Sequence, residues 1–282
     1  MYQKYLTGVI GDPVDNNPSA VIEQAAFDAM KLPWQYLILQ VKQEKLKDAI
    51  NGLKALEFVG FNVTMPFKQE IIQYINNISH EAEIIGAVNT VSINNGMLYG
   101  ENTDGKGFLM ALQNEKVSVL GKKIALIGAG GAARAISVEL LLAGAKDILI
   151  INRSTEHGKK LEADLNSYFP CKAHFCVFNK DIDIPNDIDI LVNATSVGFE
   201  NPNEFPDINY QSLQSKMVVC DVIPNNANTM FLNKAKEKGC KTISGTLMLI
   251  YQGALSFNIW TGKKANINIM QNALNNTLFY KK

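Results

Sequence analysis

Short apolar runs alternate with segments of helical periodicity through the first third of the chain. The predicted strand and helix pairs are 6–10 with 19–30, 36–40 with 44–56, and 59–63 with 68–75. This alternation is typical of an α/β domain with a parallel sheet. Ser19 is predicted as the N-cap of the first helix, because it follows Pro18 and its hydroxyl can accept from a free amide. Pro66 is predicted as the first residue of the third helix.

A hairpin and a second sheet follow. The apolar runs 88–93 and 97–100 flank Asn94-Asn95-Gly96, and Asn-Gly tolerates the positive φ angles of a type I′ turn. A helix at 104–114 leads into a second, doubly wound sheet. Its predicted strands are 123–127, a run ending at 152, 174–178, 188–193 and 217–222, with helices at 132–143 and 229–238.

Residues 246–279 are predicted to form two helices, because their apolar periodicity is interrupted only at Thr261-Gly262. These apolar residues need a partner surface, which we expect on the N-terminal domain. The predicted domains are therefore residues 1–103 completed by 246–282, and residues 104–245.

The segment Gly128-Ala-Gly130-Gly131-Ala-Ala133-Arg134 lies between a predicted strand and a predicted helix, as a dinucleotide-binding βαβ unit requires. Its glycines allow a tight turn and a close approach of a pyrophosphate, which would lie at the helix N-terminus. The second strand ends in Asn152-Arg153, 24 residues after Gly128, where a ribose-binding acid is expected. A guanidinium binds a 2′-phosphate that a carboxylate would repel, so the cofactor is predicted to be NADP.

Composition narrows the class of protein. The 282 residues carry 27 basic and 27 acidic side chains, so charge gives no indication of binding to nucleic acid or to a membrane surface. No apolar run approaches the roughly 20 residues that span a bilayer. The four cysteines and three histidines show no metal-ligand spacing, so no metal is expected, and reduced thiols favour the cytoplasm.

Lys68 is a candidate for proton transfer. It follows Asn62-Val-Thr64-Met-Pro66-Phe at the end of a predicted strand, and a nearby helix N-terminus favours its neutral form. On these residues alone, an exposed lysine opening a helix is the simpler interpretation. Asn89 and Asp104 stand at strand ends or in loops, where open α/β sheets bind ligands, although either also fits an ordinary turn or cap.

The chain resembles the shikimate dehydrogenase family along most of its length. The matching motifs, in order, are Gly11-Asp-Pro13, Asn62-Val-Thr64-Met-Pro66-Phe-Lys68, Gly86-Ala-Val-Asn89-Thr90, Asn102-Thr103-Asp104-Gly105, Gly128-Ala-Gly130-Gly131-Ala-Ala133-Arg134, Asn152-Arg153-Ser154, Asn193-Ala-Thr195-Ser196-Val-Gly198 and Met248-Leu-Ile-Tyr-Gln252-Gly253. The resemblance implies a substrate-binding α/β domain, an NADP-binding Rossmann domain, and a role in the chorismate pathway of aromatic amino acid biosynthesis.

The resemblance implies reversible hydride transfer between NADP(H) and a ring carbon of shikimate, a small-molecule substrate, by a monomer or homodimer. Lys68 and Asp104 correspond to the catalytic pair, and an interacting lysine and carboxylate titrate as a unit. The substrate-binding residues implied are Asn62, Thr64, Asn89 and Gln252, with Asn16 and Asn17 as possible amide donors to a carboxylate.

The resemblance also assigns the cofactor-binding residues. They are Gly128, Ala129, Gly130, Gly131 and Ala132 at the turn, Asn152, Arg153, Ser154 and His157 at the 2′-phosphate, and Asn193, Thr195, Ser196 and Gly245. His157 stands where many members have a second basic residue, although an exposed helix residue is an equally good interpretation.

Two departures from the family pattern concern the substrate carboxylate. The family's His-Ser-x-Ser-Pro segment is absent, and Val14-Asp15-Asn16-Asn17-Pro18 follows Pro13 instead, with Ser19 beyond the proline not expected to substitute. Pro224 stands where the family commonly has tyrosine. A site built to pair with a polar group rejects ligands that lack it, so these changes suggest a shifted substrate. Quinate, aminoshikimate or another cyclic hydroxy acid therefore stay open, as does a non-catalytic NADP-binding sensor.

Overall fold

The chain forms two structural units, each with its own six-stranded sheet. The computed structural model describes residues 4–15, 17–178 and 180–279. The first unit comprises Met1–Thr103 with Ile250–Lys282, and the second comprises Asp104–Leu249.

The elements of the first hundred residues precede the second unit. In chain order they are β1 (Tyr5–Gly11), α1 (Ser19–Ala29), β2 (Trp34–Gln40), α2 (Leu46–Ala55), β3 (Gly60–Val63), α3 (Phe67–Glu70), β4 (Asn77–Ile78), α4 (His80–Ile85), β5 (Thr90–Asn94) and β6 (Met97–Glu101). Single 3₁₀ turns at Gln43–Lys45 and Ile71–Tyr74 precede α2 and follow α3.

The remaining elements complete both units. They are α5 (Asp104–Asn114), β7 (Lys123–Ile127), α6 (Gly131–Leu142), β8 (Asp147–Asn152), α7 (Thr155–Tyr168), β9 (Ala173–Val177), β10 (Ile190–Asn193), β11 (Val218–Asp221), α8 (Met230–Glu237), β12 (Lys241–Ile243), α9 (Gly245–Thr261) and α10 (Ile267–Phe279). A 3₁₀ turn at Tyr210–Ser212 precedes β11, and the boundary between the units falls inside α9.

The first sheet is mixed, in the order β2-β1-β3-β5-β6-β4. Strands β2, β1 and β3 are parallel, whereas β5 pairs antiparallel with both β3 and β6. The three strands of the alternating pattern are parallel as predicted, and the sheet is mixed because β5, the first strand of the hairpin, runs in the opposite direction. The hairpin itself is confirmed, since Asn95 and Gly96 have φ angles of 50° and 74°.

Helix α9 packs against this mixed sheet through Trp260. Its indole Nε1 donates to the Val91 carbonyl at 3.0 Å. A Cβ at residue 60 would lie 2.3 Å from the same nitrogen, so only glycine admits the indole here. The apolar core beneath contains Ile10, Phe61 and Phe67, all with no exposed surface.

The second sheet is parallel throughout, in the order β12-β11-β10-β7-β8-β9. The strand order reverses between β7 and β10, which is the topological switch point where doubly wound sheets bind ligands. The predicted doubly wound fold is confirmed. Gly105 lets α5 approach α6 closely, because a Cβ there would lie 2.3 Å from the Ala135 carbonyl oxygen.

Two predictions about helix starts are wrong. Ser19 is the first residue of α1, Pro18 holds the cap position, and Asn17 Oδ1 accepts from the Ser19 amide at 2.9 Å. Pro66 lies at the cap position of α3, which begins at Phe67. Because α3 has only four residues, its dipole contributes little at Lys68.

Among the described residues, no helix has both the length and the apolar character that a bilayer crossing requires. The four cysteines are free thiols.

Candidate active site

Three amide side chains of the first unit come together from distant parts of the sequence. Asn62 belongs to β3, Asn89 directly precedes β5, and Gln252 lies on α9. They are only 6%, 3% and 7% exposed. Buried amides must be hydrogen-bonded, so their partners determine which way each amide faces.

The Asn62 amide is held at both ends. Its oxygen accepts from the Tyr36 hydroxyl at 2.7 Å. Its nitrogen donates to Thr90 Oγ1 and Ser256 Oγ, each at 3.0 Å, and to the Asn89 carbonyl at 3.1 Å. Burial raises the pKa of Tyr36 well above its ordinary value, so its hydroxyl stays protonated and donates.

The Asn89 amide is oriented by Thr103. Its oxygen accepts from the Thr103 backbone amide at 2.8 Å and from Thr90 Oγ1 at 3.1 Å. Its nitrogen donates to Thr103 Oγ1 at 3.0 Å and reaches Gln252 Oε1 at 3.5 Å. Asn89 and Gln252 therefore belong to one hydrogen-bonded wall, which we call the amide wall: Asn62, Asn89, Thr90, Thr103, Gln252 and Ser256.

Thr64 and Lys68 follow β3 on the same segment as Asn62, and both are partly buried. The Lys68 carbonyl accepts from the Val88 amide at 2.7 Å, which ties α3 to the segment that contains Asn89 just before β5. Asp104, the predicted partner of Lys68, is the first residue of α5 in the second unit.

The predicted carboxylate loop is only partly described. Asn17 is partly buried, and its side-chain oxygen is engaged by the Ser19 amide. Asn16 lies outside the described residues. Ser19 is buried, and its side chain is a hydrogen-bond partner of Tyr36 that lowers the pKa of that phenol against the larger effect of burial.

The glycine turn of the second unit joins β7 to α6. Gly128 has a φ of +114°, and a Cβ there would lie 3.0 Å from the Ala194 carbonyl oxygen. Apart from the chain neighbours and the backbone of α6, none of the described residues has an atom within 4 Å of a Cβ placed on Gly130 or Gly131. The turn therefore leaves room beside the first amides of α6, with Ala129 and Ala132 partly exposed on either side. These features fit a bound pyrophosphate.

The end of β8 presents polar and basic groups. Asn152 Nδ2 donates to the Ser154 carbonyl at 2.9 Å, and Ser154 Oγ caps α7 by accepting from the His157 amide at 3.3 Å. Arg153 and His157 are exposed. Arg153 directly follows β8 and exposes its guanidinium to solvent, so it can pair with a 2′-phosphate.

A cavity of about 200 Å³ lies between this strand end and the loop after β10. The residues that line it are Ile127, Gly128, Ile151, Asn152, Arg153, Phe178, Thr195, Val197, Phe205, Pro206 and Asp207. Three of the predicted cofactor-binding positions therefore line the same cavity: Gly128 of the glycine turn, the basic residue Arg153, and Thr195. Phe178, Phe205 and Asp207 were not predicted, because they lie in irregular segments without a motif.

The loop after β10 is anchored by a buried acid. Asp221 accepts from Asn193 Nδ2 at 3.1 Å and from Thr229 Oγ1 at 2.7 Å. Asn193 Oδ1 in turn accepts from Thr195 Oγ1 at 2.6 Å. Burial raises the pKa of Asp221, against the opposing effect of its hydrogen-bond donors. Asn193 thus positions Thr195, a support that the sequence pattern did not reveal.

Two other predicted cofactor residues have different surroundings. Ser196 is exposed on the same loop, whereas Gly245 is buried at the start of α9. A Cβ at residue 245 would lie 2.3 Å from the Val222 carbonyl carbon, so glycine is needed there for close packing. Among the described residues no three His, Cys, Asp or Glu side chains converge as metal ligands.

Three family models match successive parts of the chain. The shikimate dehydrogenase substrate binding domain matches residues 9–91, shikimate / quinate 5-dehydrogenase matches residues 111–202, and the shikimate 5'-dehydrogenase C-terminal domain matches residues 245–274. The shikimate dehydrogenase (NADP(+)) of Methanococcus aeolicus is 42% identical over 270 residues, which cover 95% of this chain and 96% of that protein. The chain belongs to the shikimate dehydrogenase family.

Solved structures agree with this membership. A shikimate dehydrogenase in complex with NADP+ is 40% identical and superposes with a TM-score of 0.92, covering 98% of this chain and 96% of the other. The ligand-free 5-ketofructose reductase of Gluconobacter sp. strain CHM43 is also 40% identical, with a TM-score of 0.95 and coverage of 98% and 100%. The predicted family and fold class are confirmed, but these two relatives carry names of different substrates.

Proposed function

We propose that this protein is an NADP-dependent oxidoreductase that interconverts shikimate, or a close cyclic hydroxy acid, with its 3-dehydro form. The observation that carries the proposal is the 42% identity to an NADP(+)-dependent shikimate dehydrogenase over 95% of the chain. The amide wall supports it, because amides fixed by buried hydrogen bonds suit recognition of ring hydroxyls.

The cofactor is NADP. Gly128, Gly130 and Gly131 would hold the pyrophosphate at α6, and Asn152, Arg153, Ser154 and His157 would surround the 2′-phosphate. The rest of the bound cofactor would be contacted by Asn193, Thr195, Ser196 and Gly245. Bound NADP accepts or supplies the hydride.

Lys68 and Asp104 handle the proton of the reacting hydroxyl. As the hydroxyl becomes a carbonyl, its proton passes to this pair and its carbon loses a hydride. Asn62, Thr64, Asn89 and Gln252 bind and orient the remaining hydroxyls, and Asn16 and Asn17 contribute to binding the acidic group. The enzyme acts in the cytoplasm as a monomer or homodimer, a setting consistent with its four free thiols.

A second candidate function is the reduction of a neutral polyhydroxy ketone. The observation that favours it is the absence of the His-Ser-x-Ser-Pro segment and of the tyrosine at Pro224, both of which concern a substrate carboxylate. The similar 5-ketofructose reductase is named for a keto sugar, which has no carboxylate. Such a substrate would need the amide wall but not the altered loop.

A substrate panel separates these functions. The purified protein is assayed by NADPH absorbance with shikimate, quinate and aminoshikimate in the oxidative direction, and with 5-ketofructose in the reductive direction. Preferred turnover of a cyclic hydroxy acid supports the first proposal, whereas preferred reduction of 5-ketofructose overturns it in favour of the second. Tight NADP binding without turnover of any compound indicates a non-catalytic sensor.

A further inference from the structure

Two buried hydroxyl groups lie at the centre of the amide wall. Thr90 on β5 and Ser256 on α9 have no exposed surface, and their oxygens are 2.8 Å apart. They are separated by 166 residues in sequence, so this contact exists only because α9 packs on the sheet. Neither belongs to the residues predicted to bind substrate.

The two hydroxyls hold the Asn62 nitrogen, and the Asn89 carbonyl, which can only accept, fixes the direction of the amide. Asn62 Nδ2 lies 3.0 Å from each hydroxyl, while Tyr36 donates to Asn62 Oδ1 from the opposite side. Flipping the amide would turn Nδ2 toward the Tyr36 hydroxyl and leave its oxygen facing the Asn89 carbonyl. The two oxygens would then face each other without a proton between them, which is costly in a buried site.

Thr90 also connects Asn62 to Asn89. Its Oγ1 lies 3.1 Å from Asn89 Oδ1 and 3.2 Å from Thr103 Oγ1. Ser256 Oγ also lies 3.1 Å from the Gln252 backbone carbonyl, a contact with the backbone of its own helix and not with the Gln252 side-chain amide. Both hydroxyls therefore contact Asn62, and Thr90 also contacts Asn89; these are two of the amides predicted to bind substrate.

We propose that Thr90 and Ser256 are positioning residues that orient Asn62 and Asn89 for substrate recognition. This inference rests on the proposed function insofar as those amides bind substrate. The two hydroxyls act through the amides, because they are fully buried.

The test compares Thr90→Val, which removes the hydroxyl at nearly constant shape, with Thr90→Ser, which retains it. We expect Thr90→Val to lower kcat/KM about tenfold, mainly through a higher substrate KM, with the NADP affinity unchanged. Thr90→Ser should recover most of this loss. Equal losses in the two variants would mean that the methyl group matters through packing, and unchanged kinetics in Thr90→Val would also overturn the proposal.

Ser256→Ala provides an independent variant if Thr90→Val does not fold. It should raise the same KM by a similar factor, and an unchanged KM there contradicts the proposal. The double variant should lose less than the product of the two single losses, because both hydroxyls serve the same amides. Fully multiplicative losses would indicate two unrelated effects.

A spectroscopic measurement separates this proposal from the proposed function. The side-chain amide protons of Asn62 and Asn89 should exchange slowly with water in the wild-type protein and in Thr90→Ser, and faster in Thr90→Val. Turnover of the panel by the wild-type protein tests the function, whereas this exchange pattern tests the positioning even if no panel compound reacts. Identical exchange in all three proteins would overturn the positioning role.

Discussion

The two units present their candidate binding residues in opposite ways. In the first unit, Asn62, Asn89 and Gln252 are more than 90% buried and share hydrogen-bond partners. In the second, Arg153 and His157 are exposed, and the turn at Gly130 offers open space beside backbone amides. Substitutions in the amide wall should therefore disturb several residues at once, whereas those at the nucleotide side should act individually.

We expect the greatest loss of activity from a substitution at Lys68 in the first unit, which should leave cofactor binding by the second unit unchanged. Lys68→Ala should lower turnover by at least about a hundredfold, because it removes half of the proton-handling pair. NADP affinity, measured by fluorescence titration, should stay nearly unchanged. Lys47→Ala, at an exposed position of α2, is the matched control and should retain full turnover. Near-normal turnover in Lys68→Ala would remove this residue from the mechanism.

A substitution at Arg153 in the second unit should change the KM for NADP much more than the KM for NAD. Arg153→Ala should raise the KM for NADP about thirtyfold, since charge-assisted hydrogen bonds to the 2′-phosphate are lost, and should change the KM for NAD about twofold at most. Steady-state kinetics with both cofactors measure this difference. Lys160→Ala, an exposed position on α7, serves as the control. A similar loss with both cofactors would contradict the 2′-phosphate assignment.

A third prediction concerns a buried acid behind the amide wall. Glu23 has no exposed surface, and neither carboxyl oxygen has a hydrogen-bond partner among the described residues. Burial raises its pKa well above the ordinary value, and its carboxyl also raises the pKa of nearby Tyr36. The folded protein thus binds this proton more tightly than the unfolded chain does.

This difference makes stability depend on pH. Stability should fall as pH rises above the unfolded glutamate pKa of about 4.3, by up to about 1.4 kcal/mol per pH unit, until the raised folded pKa is passed. Glu23→Gln removes this dependence, so it should match the wild type near pH 4 and exceed it at pH 8 in urea unfolding. The exposed Glu44→Gln is the control. Parallel pH profiles for wild type and Glu23→Gln would contradict the prediction.

The smallest effect tests the support of the second unit's loop. Thr229 donates to Asp221 and caps α8 by accepting from the Leu232 amide at 3.3 Å. Thr229→Val should lower the free energy of unfolding by about 1–2 kcal/mol, whereas Thr229→Ser should lose much less. Thermal or urea unfolding measures both. If the two variants are equally destabilised, the hydroxyl is not the cause.

Most regular elements were predictable from periodicity. The helix at 104–114 and the strand at 123–127 match α5 and β7 at both ends, because Asp104, the apolar stripe and the glycine turn mark their limits. The short elements β4, α4 and β12 were not predicted, since two to six residues show no clear period. Helix α7 was also missed, although Ser154 is a typical N-cap.

Sequence motifs indicated the residues that would bind substrate or cofactor, but not the residues that hold those side chains in place. Asn62, Asn89 and Gln252 lie in recognisable segments, whereas Tyr36, Thr90 and Ser256 become visible only through their contacts. Asp221, which accepts a hydrogen bond from Asn193, likewise becomes visible only through this contact. Hydrogen-bond partners that lie 26 to 194 residues apart leave no local pattern, because any suitable polar side chain on the right face satisfies the bond.

The family, the two α/β regions and the NADP-type strand end could be predicted before the fold was known, because periodicity, glycine turns and the charge at residue 153 are local properties. The folded chain was needed to show that the first sheet is mixed, that Pro18 precedes α1 as its cap, and that Thr90 and Ser256 contact the buried amides. The physical reason is that strand direction and buried hydrogen bonds depend on which distant segments pack together.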